Sequence, residues 1–259
     1  MNALLLYALE FHDTELLRAV YLTYKNSIPK YNSDATGFAP HDLGYLRFPD
    51  PFGDPMGEHA SCADTAYIAF LLAVRGGYPE LLDDVERLVR GRLFYGQITE
   101  GEAYGTWGSY SSYFGQGSII DIFALVATTL CQIYQDMIQE REGGTYIHLL
   151  FSGKCNALSV DADRDDCQRI TIIPHVAKKI FVRIPTWAPV DSICVNGVAK
   201  WEQEGVYLTI DPQDMVEESP ITVSFVLPKY ETKAKTWISQ KEFTLSWRGD
   251  TLDKVVEVI

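Results

Sequence analysis

Two stretches of the chain carry side chains whose types and spacing could do chemistry. The first, 29–60, holds His41, Asp42, Asp50, Asp54, Glu58 and His59. Carboxyl groups and imidazoles gathered in one irregular stretch are what general acid–base chemistry needs, and a pair of carboxyls can flank a scissile bond. Glu58 and His59 are the foremost pair, with His41 as a third titrating group, because they sit directly ahead of a helix start. The same two residues also have a structural reading. A carboxylate at a helix start is favoured by the helix dipole, and a histidine there can simply pack. Asp64 and Asp121 are explained equally well as first-turn charges, and Glu100 and Glu102 as solvated side chains.

The second stretch, 104–117, reads Tyr-Gly-Thr-Trp-Gly-Ser-Tyr-Ser-Ser-Tyr-Phe-Gly-Gln-Gly. It is too rich in glycine for a helix and too aromatic for a flexible linker. Sugars offer apolar C–H faces to aromatic rings, and their hydroxyls seek amide and hydroxyl partners. Trp107, Tyr110, Tyr113 and Gln116 supply both, and the glycines allow close backbone approach. A loop that packs its rings on its own neighbours is the competing reading. No Lys or GxxxxGK accompanies Gly115-Gln116-Gly117, so it is no phosphate loop. No G-x-S-x-G elbow is present either.

The elements that must position these stretches are helical up to about residue 142. Helices are expected over 2–10 and 14–28, the second capped by Asp13 and ended by Pro29. Ser61-Cys62-Ala63-Asp64 resembles a capping box before the apolar run 66–74, which Gly76-Gly77 ends. Pro79 opens another helix with the stripe Leu82, Val85, Leu88, Val89 and Leu93, and a last helix spans about 118–139. Alternating short and long connections suggest stacked helical hairpins. After Glu142-Gly143-Gly144 the period becomes two. Strands are expected over 145–151, 169–173, 180–184, 192–195, 206–210 and 221–227, with Asn196-Gly197 as a hairpin marker. That spacing describes an antiparallel β-sandwich. The expected organisation is α+β: a helical-hairpin domain over 1–142 and a β-sandwich domain over 143–259.

Composition narrows the function classes. With 47% hydrophobic and 22% charged residues, the 259-residue chain is of the ordinary globular kind. A net charge of −13 speaks against nucleic acid, whose phosphates need a basic face. The apolar run 4–9 has no basic flank and is too short to span a membrane, so it is expected to be neither signal peptide nor anchor, and the protein soluble. A chain that starts inside a core helix and stops in a strand-like run is expected to be part of something longer. Five cysteines without a C-x-x-C are expected to be buried free thiols, although a Cys155–Cys167 bridge would close a plausible loop.

Within the β-region, Val182-Arg183-Ile184-Pro185-Thr186-Trp187-Ala188, then Val195-Asn196-Gly197, then Gly205-Val206-Tyr207-Leu208 form a series of motifs. Ser246-Trp247-Arg248-Gly249-Asp250-Thr251 follows as a later strand, and 78–97 precedes them in the helical part. Together they resemble the β-L-arabinofuranosidase-like glycosidases, glycoside hydrolase family 127 and its relatives. The resemblance implies an (α/α)6 barrel of six hairpins followed by a β-sandwich, of which this chain would hold a partial barrel and the sandwich. It implies a carbohydrate substrate, from a plant or microbial glycan. The family's characterised branch uses a cysteine thiolate beside zinc, with ligands from Glu-x-Cys and a Cys-Cys pair. Here Ala60-Ser61-Cys62 has alanine where the glutamate belongs, and 108–113 has no cysteine. No metal site and no cofactor are therefore expected, and Cys62 reads as a small core residue. A non-catalytic carbohydrate-binding relative of the same fold is the alternative. A polysaccharide lyase, pairing Tyr110 or Tyr113 with His41 or His59, is a weaker one. Trp187, Trp237 and Trp247 read as core anchors.

Overall fold

A computed structural model describes residues 1–31, 59–107, 120–215, 220–235 and 242–258. The chain divides into two compact units, Met1–Cys131 with Lys229–Ile259, and Gln132–Pro228. This division does not follow the change of periodicity at 142, because the last strands group with the helices.

In the first unit, α1 (Asn2–Glu10) and α2 (Thr14–Tyr31) form a hairpin. The expected Asp13 cap is present, its Oδ1 accepting from the Leu16 N–H at 2.9 Å. Pro29 does not end α2, which continues to Tyr31; the proline costs the helix the one hydrogen bond that an N–H at 29 would donate to the Lys25 carbonyl. Next comes α3 (His59–Val74), apolar around its whole circumference and buried accordingly. It begins at His59, two residues before Ser61, so the expected capping box is not its start. Asn2 Nδ2 donates to Asp64 Oδ1 at 2.9 Å and ties α1 to α3. The Tyr24 hydroxyl donates to Asp84 Oδ2 at 3.3 Å, and the Tyr21 ring stacks on Tyr78 at 3.8 Å.

The stripe expected to form one helix over 79–93 is three pieces. A 3-10 turn (Pro79–Leu81) leads into α4 (Leu82–Leu88), and a π turn (Val89–Leu93) follows. In the π turn the Phe94 N–H reaches back five residues to the Val89 carbonyl at 2.8 Å. The Trp247 ring lies against Gly91, where a Cβ would stand 3.2 Å from it. Then comes α5 (Ile120–Asp136), whose last turn passes into the second unit. It stops short of the expected 139 because Ile138 is taken into a strand.

The second unit is a β-sandwich-like body with ten strands among the described residues: β1 (Ile138–Arg141), β2 (Gly144–Ile147), β3 (Gly153–Lys154), β4 (Leu158–Arg164), β5 (Cys167–Pro174), β6 (Ile180–Arg183), β7 (Cys194–Asn196), β8 (Glu202–Glu204), β9 (Tyr207–Ile210) and β10 (Ile221–Val226). One sheet runs β1-β2-β6-β9-β8 and the other β3-β4-β5-β10-β7. Alternating buried residues such as Ile147, Val182, Leu208, Ile170, Ile172 and Val223 supply the inner faces. Among the described residues pairing is antiparallel with one exception, since β2 and β6 run parallel.

Two expectations are corrected here. Asn196-Gly197 does not close a hairpin, because β7 pairs with β10 while β8 pairs with β9 in the other sheet. Gly197 has φ +82°, and a Cβ there would stand 2.4 Å from the Pro220 carbonyl oxygen, so the turn carries the chain from sheet to sheet. Of the five cysteines, all free, only Cys62 is buried; Cys131 and Cys194 are exposed.

The remaining strands, β11 (Lys229–Lys235), β12 (Glu242–Arg248) and β13 (Thr251–Val258), form an antiparallel meander belonging to the first unit. Trp247 is its anchor, packed with Leu245 and Leu252, its indole N–H donated to Thr232 Oγ1 at 2.9 Å. Trp187 is half-buried, edge-on to Phe225, and Trp237 lies outside the described residues.

On one face of the β1-β2-β6-β9 sheet, Tyr146 stacks on Phe181 at 4.1 Å, with the Arg141 guanidinium 5.1 Å from the Tyr146 ring. Beside them buried His148 Nδ1 lies 2.8 Å from the Tyr207 hydroxyl, and Arg183 Nε donates to the His148 carbonyl at 2.8 Å. Burial, helped by the Arg141 charge, pushes the His148 pKa down from 6.5 to about 3.

Two predictions follow from this geometry. Gly197→Ala should lower stability by about 2–4 kcal/mol, through positive φ and the clash with residue 220, as read by urea denaturation. The unfolded chain protonates its histidine near pH 6.5 while the folded chain resists down to about 3. Stability from this group is therefore complete above pH 6.5 and falls by about 1.4 kcal/mol per pH unit below it. His148→Gln should flatten that slope in urea titrations at stepped pH.

Candidate functional site

Of the side chains singled out from the sequence, the described residues include His59 and Trp107. Glu58, His41, Asp42, Asp50, Asp54, Tyr110, Tyr113 and Gln116 lie outside them. His59 and Trp107 come from opposite sides of a long gap in sequence, and the structure sets both against the segment 92–98 that follows the π turn.

His59 opens α3 and is 2% exposed. Its ring lies on the backbone of Gly96, where a Cβ would stand 2.0 Å from Nε2 and 3.0 Å from the Arg92 carbonyl oxygen. Glycine at 96 is thus required by close approach, a constraint with no local signature in the sequence. Trp107 is 5% exposed, and its indole N–H donates to the Leu93 carbonyl at 2.7 Å. Phe123 on α5 stacks beside it at 6.2 Å. Its ring is therefore occupied in packing, and its polar edge closes the neck of a loop.

That loop, 93–107, is pinned along its length. The Ile98 N–H donates to the Thr106 carbonyl at 2.9 Å, and the Gly105 N–H to the Ile98 carbonyl at 2.7 Å. Gln97 Nε2 donates to the Gly105 carbonyl at 3.0 Å, and the Gly96 N–H to the Arg92 carbonyl at 2.8 Å. Such a closed, self-bonded excursion is an Ω-type loop. It buries Leu93 and Trp107 and exposes Phe94, Tyr95 and Tyr104. Sequence reading put the weight on the rings after 107; the exposed rings before it emerge from which positions the loop turns outward.

The π turn ahead of that loop carries a buried set of charges. Arg90 donates from Nε and Nη2 to Glu86 Oε1 at 2.9 and 2.7 Å, and its Nε lies 3.7 Å from Asp250 Oδ1 on the β12–β13 turn. Burial pulls the Arg90 pKa down to about 10, and the Asp250 charge opposes that. Asp250 entered the sequence reading only within the 246–251 motif, and the Glu86–Arg90 pair was not singled out, since a Glu-Arg pair four apart reads as an ordinary helix surface pair.

The donor set for zinc does not fit. Cys62 is fully buried on α3, one turn from residue 59, with Ala60 in place of a carboxylate. Among the described residues no group of three or more His, Cys, Asp or Glu side chains is arranged to hold a metal ion. No helix among them is long and apolar enough to cross a membrane.

No protein-family model matches the chain, and no curated protein matches it. Solved structures do. A GH127 β-L-arabinofuranosidase from Geobacillus stearothermophilus T6 superposes with a TM-score of 0.59 at 15% identity, over 95% of this chain and 44% of that one. A protein described as a glycoside hydrolase superposes with a TM-score of 0.51 at 14% identity, over 76% of this chain and 37% of that one. The chain thus spans less than half the length of each, and at these identities the likeness is one of fold. It is the glycosidase-like fold that the sequence motifs suggested.

The packing of His59 on Gly96 is directly testable. Gly96→Ala should destabilise the protein by about 1–3 kcal/mol, measured by chemical denaturation. In a His59→Ala background the same substitution should cost markedly less, because the two positions share one clash.

Proposed function

We propose that this chain belongs to a glycoside hydrolase acting on a plant or microbial glycan, and that it forms the later part of such an enzyme. The observation that carries this reading is the fold likeness over 95% of the chain to a GH127 β-L-arabinofuranosidase. In this reading the hairpins α1–α2 and α3–α4 are two of the six of an (α/α)6 toroid, and the sandwich is the domain that follows it.

Glu58, directly ahead of α3, is the carboxyl proposed to exchange a proton with the glycosidic oxygen, with His41 as a second titrating group from the same stretch. His59 is buried, which suits a positioning residue for Glu58 better than direct contact with a sugar. Tyr110, Tyr113 and Gln116 are proposed to contact the glycan from the stretch that Trp107 anchors. A thiolate–zinc mechanism is not part of this proposal, because the donors for it are lacking.

A second reading has its own support. The buried His59 and the loss of the Glu-x-Cys pattern at Ala60-Ser61-Cys62 both favour a relative that binds carbohydrate without cleaving it.

The full-length protein assayed on a panel of aryl glycofuranosides and glycopyranosides separates the two. Turnover is expected, with Glu58→Gln lowering kcat by about 10²-fold or more. Unchanged turnover in that variant removes Glu58 from the site, and glycan binding without any turnover establishes the second reading.

A further inference from the structure

Asn196-Gly197 turns the chain from one sheet to the other, and the same pair carries a reactivity of its own. Of the asparagines, at 2, 26, 32, 156 and 196, only Asn196 is followed by glycine. With no Cβ on residue 197, the backbone nitrogen joining the two residues is open to the carbonyl carbon of the Asn196 side chain. Asn196 is exposed and ends β7, a three-residue strand at the edge of its sheet that pairs with β10 alone among the described residues. Short edge strands open locally at little free-energy cost, so the two atoms can meet without global unfolding. Asn196 Nδ2 donates to Cys194 Sγ at 3.6 Å, a weak tether to an exposed thiol.

We propose that Asn196 is a site of self-modification, converting through a cyclic imide to aspartate and isoaspartate. The Gly197 nitrogen, having lost its proton to base, bonds to the side-chain carbonyl carbon of Asn196, and the bond from that carbon to Nδ2 breaks to release ammonia. Water then opens the imide at either carbonyl. One opening leaves aspartate; the other leaves isoaspartate, whose main chain runs through the former side chain and is one carbon longer. One water enters, one ammonia leaves, and one negative charge is added.

The fold makes the longer product costly. Gly197 approaches residue 220 so closely that a Cβ would stand 2.4 Å from the Pro220 carbonyl oxygen, and a bridge between Val198 and Met215 follows directly. A turn fixed on both sides has no slack for an extra main-chain carbon. Isoaspartate at 196 therefore breaks the pairing of Asn196 with Thr222 and loosens β7 from β10. The reaction acts as a clock on the sandwich, and it does not depend on the glycan reading above.

The test is to age the full-length protein in mildly alkaline buffer until a synthetic peptide of residues 192–200 has converted, and then to map it by peptide mass spectrometry. A mass gain of about 1 Da is expected at Asn196 ahead of every other asparagine, faster as pH rises, with isoaspartate labelled by an isoaspartyl methyltransferase. The urea midpoint should fall in step with conversion. Asn196→Ser, at an exposed position, should keep its midpoint through the same ageing. An unconverted Asn196 in the folded protein overturns the proposal, as does conversion spread evenly over the asparagines. Conversion at Asn196 with an unmoved urea midpoint overturns the clock.

Discussion

Burying the Arg90 guanidinium is costly unless carboxylates meet it, and here they come from two directions: Glu86 one helical turn back and Asp250 on the turn of a distant strand pair. The helix that carries Arg90 and the meander that carries Asp250 therefore have to be present together. Trp247 adds apolar contact at the same place, its ring resting on Gly91. The wider π turn that accommodates this contact also sets the direction of the chain after Leu93. From there the Leu93 carbonyl receives Trp107, the Arg92 carbonyl receives the Gly96 N–H, and Gly96 receives His59. A few consecutive residues thus organise the first unit, and π turns often sit where a fold must satisfy such competing demands.

The sandwich solves a different problem. Its β1-β2-β6-β9 sheet carries Tyr146, His148, Phe181, Arg183 and Tyr207 close together, a polar and aromatic group that ordinary alternation would leave in water. The rings stack or meet edge to face, and the buried imidazole stays neutral beside Tyr207. Keeping His148 neutral avoids a buried charge next to Arg141 and Arg183. The rings pack on one another, while the buried Nε2 of His148 is left without a hydrogen-bond partner among the described residues.

Layout and superposition point to a glycosidase-like fold, while Ala60 stands where the resembled family's Glu-x-Cys motif has its glutamate and Cys62 is buried in α3. Folds are held by many weak contacts and tolerate wide sequence change, whereas a metal site is lost with one or two donors.

Much of the layout was legible from the chain alone, because it rests on local periodicity and caps. The amphipathic spacing announced the helices, Asp13 announced its cap, and alternation after residue 142 announced the sheets. Sequence also showed alanine at position 60, where the resembled family's motif has glutamate, and no cysteine in 108–113. What it could not supply were contacts between distant residues. Pro29 looked like a stop but lies in a final turn, and 82–93 looked like one helix until Trp247 and Asp250 were brought against it. Strand β4 went unseen because its outward positions are Asp161 and Asp163, which mimic a loop. Asn196-Gly197 looked like a hairpin because turn residues encode a local bend and not the partner of the strand that follows. Which rings of the 93–107 loop face water, and that Gly96 exists to admit His59, are set by closure of the loop on Leu93. Periodicity is a property of neighbours in sequence; close approach is a property of neighbours in space, and tertiary structure alone decides it.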